Sequence, residues 1–230
     1  MDKQTIIANL RRDLHDVVET RSYITRSALA NARIELRQFQ MARLAITHAD
    51  LLAAKETRPA SQFFLEDLYG INDFAKRDAD IERVIPMMER ALPLVALKYI
   101  AEAIELDALS ESLDCAMAEK LGEGFGADDY VETYRVVRTR EERERQIAHI
   151  DSVGHSLCEI VHMPLVGASI AAMSIPARLT GLSELHHFLE RGFDAFKRLS
   201  KPEQFVETIV ERETTILNNL YSGKANPFKF

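Results

Sequence analysis

Tryptophan is absent from this sequence, and cysteine occurs only twice, at Cys115 and Cys158. Neither cysteine stands in a Cys-x-x-Cys pair, so a disulfide framework is excluded and two free thiols in a reducing compartment are expected. Glycine and proline are scarce too, at 9 and 7 of 230 residues, which excludes collagen-like and low-complexity chains. Positive charge is in deficit: 29 Lys+Arg against 36 Asp+Glu leave −7. A chain of that sign lacks the basic field that gathers nucleic acid. Long apolar runs are missing as well. The longest uncharged stretch, 160–177, is broken by His162, Pro164, Gly167 and Pro176, so no membrane span is expected. Met1-Asp2-Lys3-Gln4 leads straight into an amphipathic pattern, without the regions of a secretory signal. The expected compartment is the cytoplasm.

What the sequence does have is helical periodicity. Ile6, Ile7, Leu10, Leu14, Val17 and Val18 form one stripe, with Arg11, Arg12, Asp13, Asp16 and Glu19 opposite. A long second helix is expected from Thr25 or Ser27 to about Lys55, carrying Arg33 and Arg37 on a separate face. Ala60 to Tyr69 reads as a short helix closed by Gly70. Pro86 interrupts a pattern that resumes near Asp78, and Pro93 suits the first turn of a helix running to Leu121. Thr139-Arg-Glu-Glu142 is a capping box, and Ser200-Lys-Pro-Glu203 has the same form. The Gly/Ala-rich segment near 164–178 is apolar nearly all round and is expected at the bundle's centre. No run alternates at period two.

The expected architecture is therefore all-α, a single bundle of about eight to ten helices over 1–222. Gly122-Glu-Gly-Phe-Gly126 is a hinge candidate, and 223–230 is expected to be a loose tail.

Three groups of residues are candidates for chemistry. Glu159-x-x-His162 and Glu184-x-x-His187 each place a carboxylate and an imidazole on one helical face, the unit from which di-iron bundles build metal sites. Composition alone supplies such pairs, so a metal ion is the secondary expectation and no cofactor the primary one. His48, on the apolar stripe of the second helix, is the outside candidate for a general base, and a core-edge histidine would look the same. The third group is the aromatic run around Phe63, Phe64, Asp67 and Tyr69, with Arg43 and Arg77 as its charged partners. A helix so short must dock its aromatic face to persist. These six residues are the candidate ligand or partner contacts. Arg33, Arg37 and Arg43 could meet an anionic ligand or the chain's surplus carboxylates.

The run Phe63-Phe-Leu-Glu-Asp-Leu-Tyr-Gly70, with Arg43 to Asp50 before it and Phe188-Leu-Glu-Arg-Gly-Phe193 after it, resembles an uncharacterised family of helical bacterial proteins. The resemblance implies an all-helical bacterial cytoplasmic protein and carries no activity, cofactor or catalytic residue. The leading functional expectation is a non-enzymatic binding protein for a partner protein or an apolar small molecule. A metal-dependent or acid–base enzyme is the alternative, and self-association is compatible with both.

Overall fold

The computed structural model describes residues 2–68, 80, 81, 83–86, 89, 94–172, 174–180 and 182–229. Among these the chain is all-α, with no strand, as the periodicity predicts.

Helix α1 (Lys3–Arg26) starts where Asp2 accepts the Thr5 amide at 2.8 Å, satisfying one donor of its first turn. Its apolar stripe, from Ile6 to Val17, is buried; Val18 is exposed instead, and Asp13, expected on the polar side, is buried beside Arg12. The pattern predicted as one long second helix is interrupted. Helix α2 (Ala30–Thr47) ends at His48, whose φ of −113° and ψ of 27° leave the helical range, and α3 (Ala49–Ala53) follows. The break falls on the residue whose ring is drawn out of the helix towards Glu213, at 3.1 Å. Arg58 then caps α3 by donating to the carbonyls of Leu52 and Ala53.

Helix α4 (Arg58–Gln62) has Pro59 in its first turn and passes directly into a π-helical turn, Phe63–Leu68. Phe63 and Phe64 from this turn meet Phe188, Phe196 and Phe205, so the aromatic face does dock. Residues 80, 81, 83–86 and 89 are helical, Pro86 among them.

The longest described helix is α5 (Leu94–Leu121), 28 residues and about 42 Å. It packs against α1, α2, α6 (Ala127–Val136) and α7 (Arg140–Val161). The glycine segment separates α5 from α6, with Gly122 and Gly124 at φ of 67° and 74°. There a side chain would be strained. The capping box at the start of α7 forms as read: Thr139 accepts from the Glu142 amide, and Glu142 accepts from the Thr139 amide.

The Gly/Ala-rich segment departs from expectation. It forms two short helices, α8 (Pro164–Ala172) and α9 (Ser174–Thr180), at the margin of the bundle. Ala168, Ser169, Ala171 and Ala172 are exposed, and Ile175 is 62% exposed. Side chains this small remove little area from water when buried, so position is set by Val166 and Ile170, which lie against the aromatic cluster.

Helix α10 (Ser183–Lys197) follows Leu182, which offers it no side-chain cap. Helix α11 (Pro202–Tyr221) begins with Pro202, but its expected Ser200 cap does not form. The Ser200 amide and hydroxyl both donate to Glu56, at 2.7 and 2.6 Å, a partner far away in sequence. The terminal segment is not loose either. Pro227 is buried and accepts a hydrogen bond from Asn219 through its carbonyl, and Phe228 packs against Phe39 and Tyr130.

Candidate functional site

The interior is not uniformly apolar. Glu111, fully buried on α5, accepts hydrogen bonds from three arginines: Arg21 of α1 at 2.9 Å, Arg33 of α2 at 2.7–2.8 Å, and Arg37 one turn further on. Burial alone would raise the Glu111 pKa. The fields of Arg37, Arg21 and Arg33 outweigh it and hold the carboxyl at about 2. Arg21 also reaches Asp107, at 2.9 Å. Asp114, one turn beyond Glu111, accepts from Gln40 at 2.9 Å. Burial pushes the Asp114 pKa up, against the pull of Arg37.

A second charged cluster closes the far side. Glu213 of α11 accepts from Arg43 at 2.6 Å and from His48 at 3.1 Å. Burial opposes ionisation of Glu213, yet Arg43 and His48 hold its pKa at about 2. Beside it Arg212 grips Asp50 through two hydrogen bonds of 2.6 and 2.8 Å. Two successive residues of α11 thus tie it to both sides of the break at His48.

Between these clusters lies a cavity of about 210 Å³, walled chiefly by α2, α5, α7 and α11. An engineered cavity of about 150 Å³ admits a benzene ring, so a molecule of at least that size fits. Polar groups of the wall include Gln40, Arg43, Asp114, Tyr130, Tyr134 and Arg143, and its larger apolar share includes Leu51, Phe64, Ile150, Val153, Phe188 and Ile209. Both tyrosines are kept as neutral phenols, since burial raises their pKa values.

Arg143 is the outlying member of this wall. It is 2% exposed, and its guanidinium carbon lies 4.2 Å from the centre of the Tyr134 ring. Its Nε and Nη2 find no hydrogen-bond partner among the described residues, and the same holds for Arg43 Nε and His48 Nδ1.

Of the residues singled out in the sequence, Arg43, His48 and Phe64 line this cavity. Phe63 lies in the neighbouring aromatic cluster. The side chain of Asp67 and all of Tyr69 and Arg77 lie outside the described residues, and so do Asp73 and Asp78. Arg43 is held by Glu213, one of the chain's surplus carboxylates.

Three of the four side chains of the Glu-x-x-His units are described, and all three lie on the surface. Glu159 is exposed and accepts the Tyr99 hydroxyl, while His162 and His187 are exposed. The Glu184 side chain lies outside the description. No three His, Cys, Asp or Glu residues gather to hold a metal among the described residues.

Sequence reading missed Glu111, Asp114, Arg143 and Glu213. Glu111 sits inside the apolar pattern of α5, between Leu109 and Leu113, and an acid so placed is the one local sign of a buried charge. Arg143 was masked by Glu141, Glu142 and Glu144, which make the start of α7 read as a solvated face.

No described helix is long and apolar enough to cross a membrane. A family model, that of the domain of unknown function DUF8198, matches residues 19–227. Comparison with curated proteins and with solved structures found no match.

Proposed function

Because the chain belongs to the DUF8198 family, whose description assigns no activity, we propose from the cavity itself that this is a non-enzymatic binding protein. Its ligand is a small molecule with an apolar body, held between α2, α5, α7 and α11. The observation that carries this reading is the cavity's composition: a mostly apolar wall with a few convergent polar groups is how small-molecule sites are built. Free Cys115 and Cys158 fit the reducing interior of a bacterial cell. Native mass spectrometry of the freshly purified protein tests the proposal. The expected result is an organic adduct that leaves on denaturation. A bare chain that also gains no thermal stability from any of a panel of small amphiphiles would overturn it.

A second reading has one observation in its favour. His48 lines the cavity, and its Nε2 is oriented by Glu213, while Nδ1 lacks a protein partner. A carboxylate-oriented imidazole of this kind can serve as a general base. On that reading, His48→Gln abolishes turnover of the extracted ligand without releasing it. On the binding reading, no turnover is seen in either protein.

A further inference from the structure

We propose that the ligand carries a single carboxylate, and that Arg143 is the residue that pairs with it. This rests on the cavity being a ligand site and adds the chemical class of what it holds.

Among the described residues, five arginines, Arg21, Arg33, Arg37, Arg43 and Arg143, stand around four carboxylates, Asp107, Glu111, Asp114 and Glu213, while buried Asp13 and Asp80 pair with Arg12 and Arg83. Glu111 takes Arg21, Arg33 and Arg37, Arg21 also reaches Asp107, and Glu213 takes Arg43. Arg143 is the guanidinium outside these pairs. The groups facing it are the Tyr134 ring, Tyr130, Asp114 and Tyr221. Asp114 accepts its hydrogen bond from Gln40, at 2.9 Å, and burial raises its pKa.

A guanidinium withdrawn from water to 2% exposure, with two nitrogens unbonded, is costly unless an anion meets it. The planar fork of arginine suits a carboxylate, which can accept two parallel hydrogen bonds. One guanidinium with two unbonded nitrogens matches a monoanion; a phosphate dianion would set a second negative charge in a cavity that also holds Asp114 and Glu213. The apolar share of the wall, with Leu51, Phe64, Phe188 and Ile209, then covers the rest of the molecule. About 210 Å³ suits a body of ring size rather than a long acyl chain.

The experiment compares phenylacetate, its neutral counterpart phenylacetamide, and inorganic phosphate by calorimetry on the wild-type protein, on Arg143→Met and on Arg143→Lys. The expected result has three parts. Wild type binds phenylacetate at least about tenfold more tightly than the amide, and phosphate more weakly than either. In Arg143→Met that preference disappears while amide affinity is retained; in Arg143→Lys it survives in reduced form. Arg143→Met without ligand melts no lower than wild type, because it removes a buried unpaired charge and keeps the bulk. A residue of purely structural value would do the opposite. Equal affinity for acid and amide in wild type, or a preference that persists in Arg143→Met, overturns the proposal and leaves the cavity a small-molecule site. Phosphate binding as tight as phenylacetate overturns the carboxylate assignment. Binding of none of the three overturns it together with the reading beneath it. The wild-type comparison stands whether or not the variants fold.

Discussion

Gly154 of α7 faces Val206 of α11 so closely that a Cβ at Gly154 would lie 2.6 Å from one Val206 methyl and 2.9 Å from the other. The two helices that form one wall of the cavity therefore approach as they do because position 154 has no side chain. Val206 is β-branched and stiff in a helix, so it cannot turn both methyls away.

Gly154→Ala is expected to destabilise the fold by about 1–3 kcal/mol, despite alanine's better helix propensity. Val206→Ala opens space and should make the same change tolerable. In a double-mutant cycle by urea unfolding, the pair should cost less than the sum of the single changes. Strict additivity would mean the contact does not set the helix spacing.

Glu111→Gln leaves Arg21, Arg33 and Arg37 around a neutral group in the bundle's interior. Removing one member of a buried charge cluster costs about 3–5 kcal/mol. For a chain of this size that is a fall of about 10 °C in Tm. A melting curve by circular dichroism that superimposes on wild type would contradict the arrangement.

The depressed carboxyls give stability a defined dependence on pH. Glu111 and Glu213 titrate at about 2 in the folded protein against 4.5 for an ordinary glutamate. On lowering the pH through 4.5, the unfolded chain takes up protons that the folded chain still refuses. Their contribution is therefore complete above pH 4.5 and drains away down to about 2. Asp114 has the opposite sign: its raised pKa favours the fold in acid, and that contribution is lost as pH rises through its folded value. Urea midpoints should drop between pH 5 and 3, and the drop should be shallower in Glu111→Gln. Parallel profiles for the two proteins would rule out Glu111 as a source of the dependence.

Both thiols should be slow nucleophiles. Burial pushes Cys158 up to about 11 and raises Cys115 as well, so the reactive thiolate is scarce at neutral pH. Iodoacetamide at pH 7.5 is expected to label the native protein slowly, Cys158 more slowly than Cys115. In denaturant both should react freely. Fast labelling of native Cys158, read by peptide mass spectrometry, would show that its cluster opens readily.

How much of this could be read in advance depended on distance along the chain. The Thr139–Glu142 box closes over three residues, and α5 begins after Pro93, so both were legible. The Ser200 cap failed because Glu56, far away in sequence, competes for the same hydroxyl. The helix at 164–172 has the composition of a core element, yet composition does not say whether neighbours surround it. The charged interior was hidden for the same reason: Arg37 and Glu111 are 74 positions apart, and Arg43 and Glu213 are 170 apart. Each looks solvated until its partner is known. The break at His48 follows from one of those unseen partners.

The placement of α5 sets an order in which the molecule should loosen. Flanked by α1, α2, α6 and α7, and pinned at Glu111 from two of them, α5 can expose its amides to deuterium only when most of the protein comes apart. α8 and α9, with one side already wet, can breathe alone. Exchange followed in time should show a slow centre around residues 104–118 and a fast margin at 164–180, within a single chain.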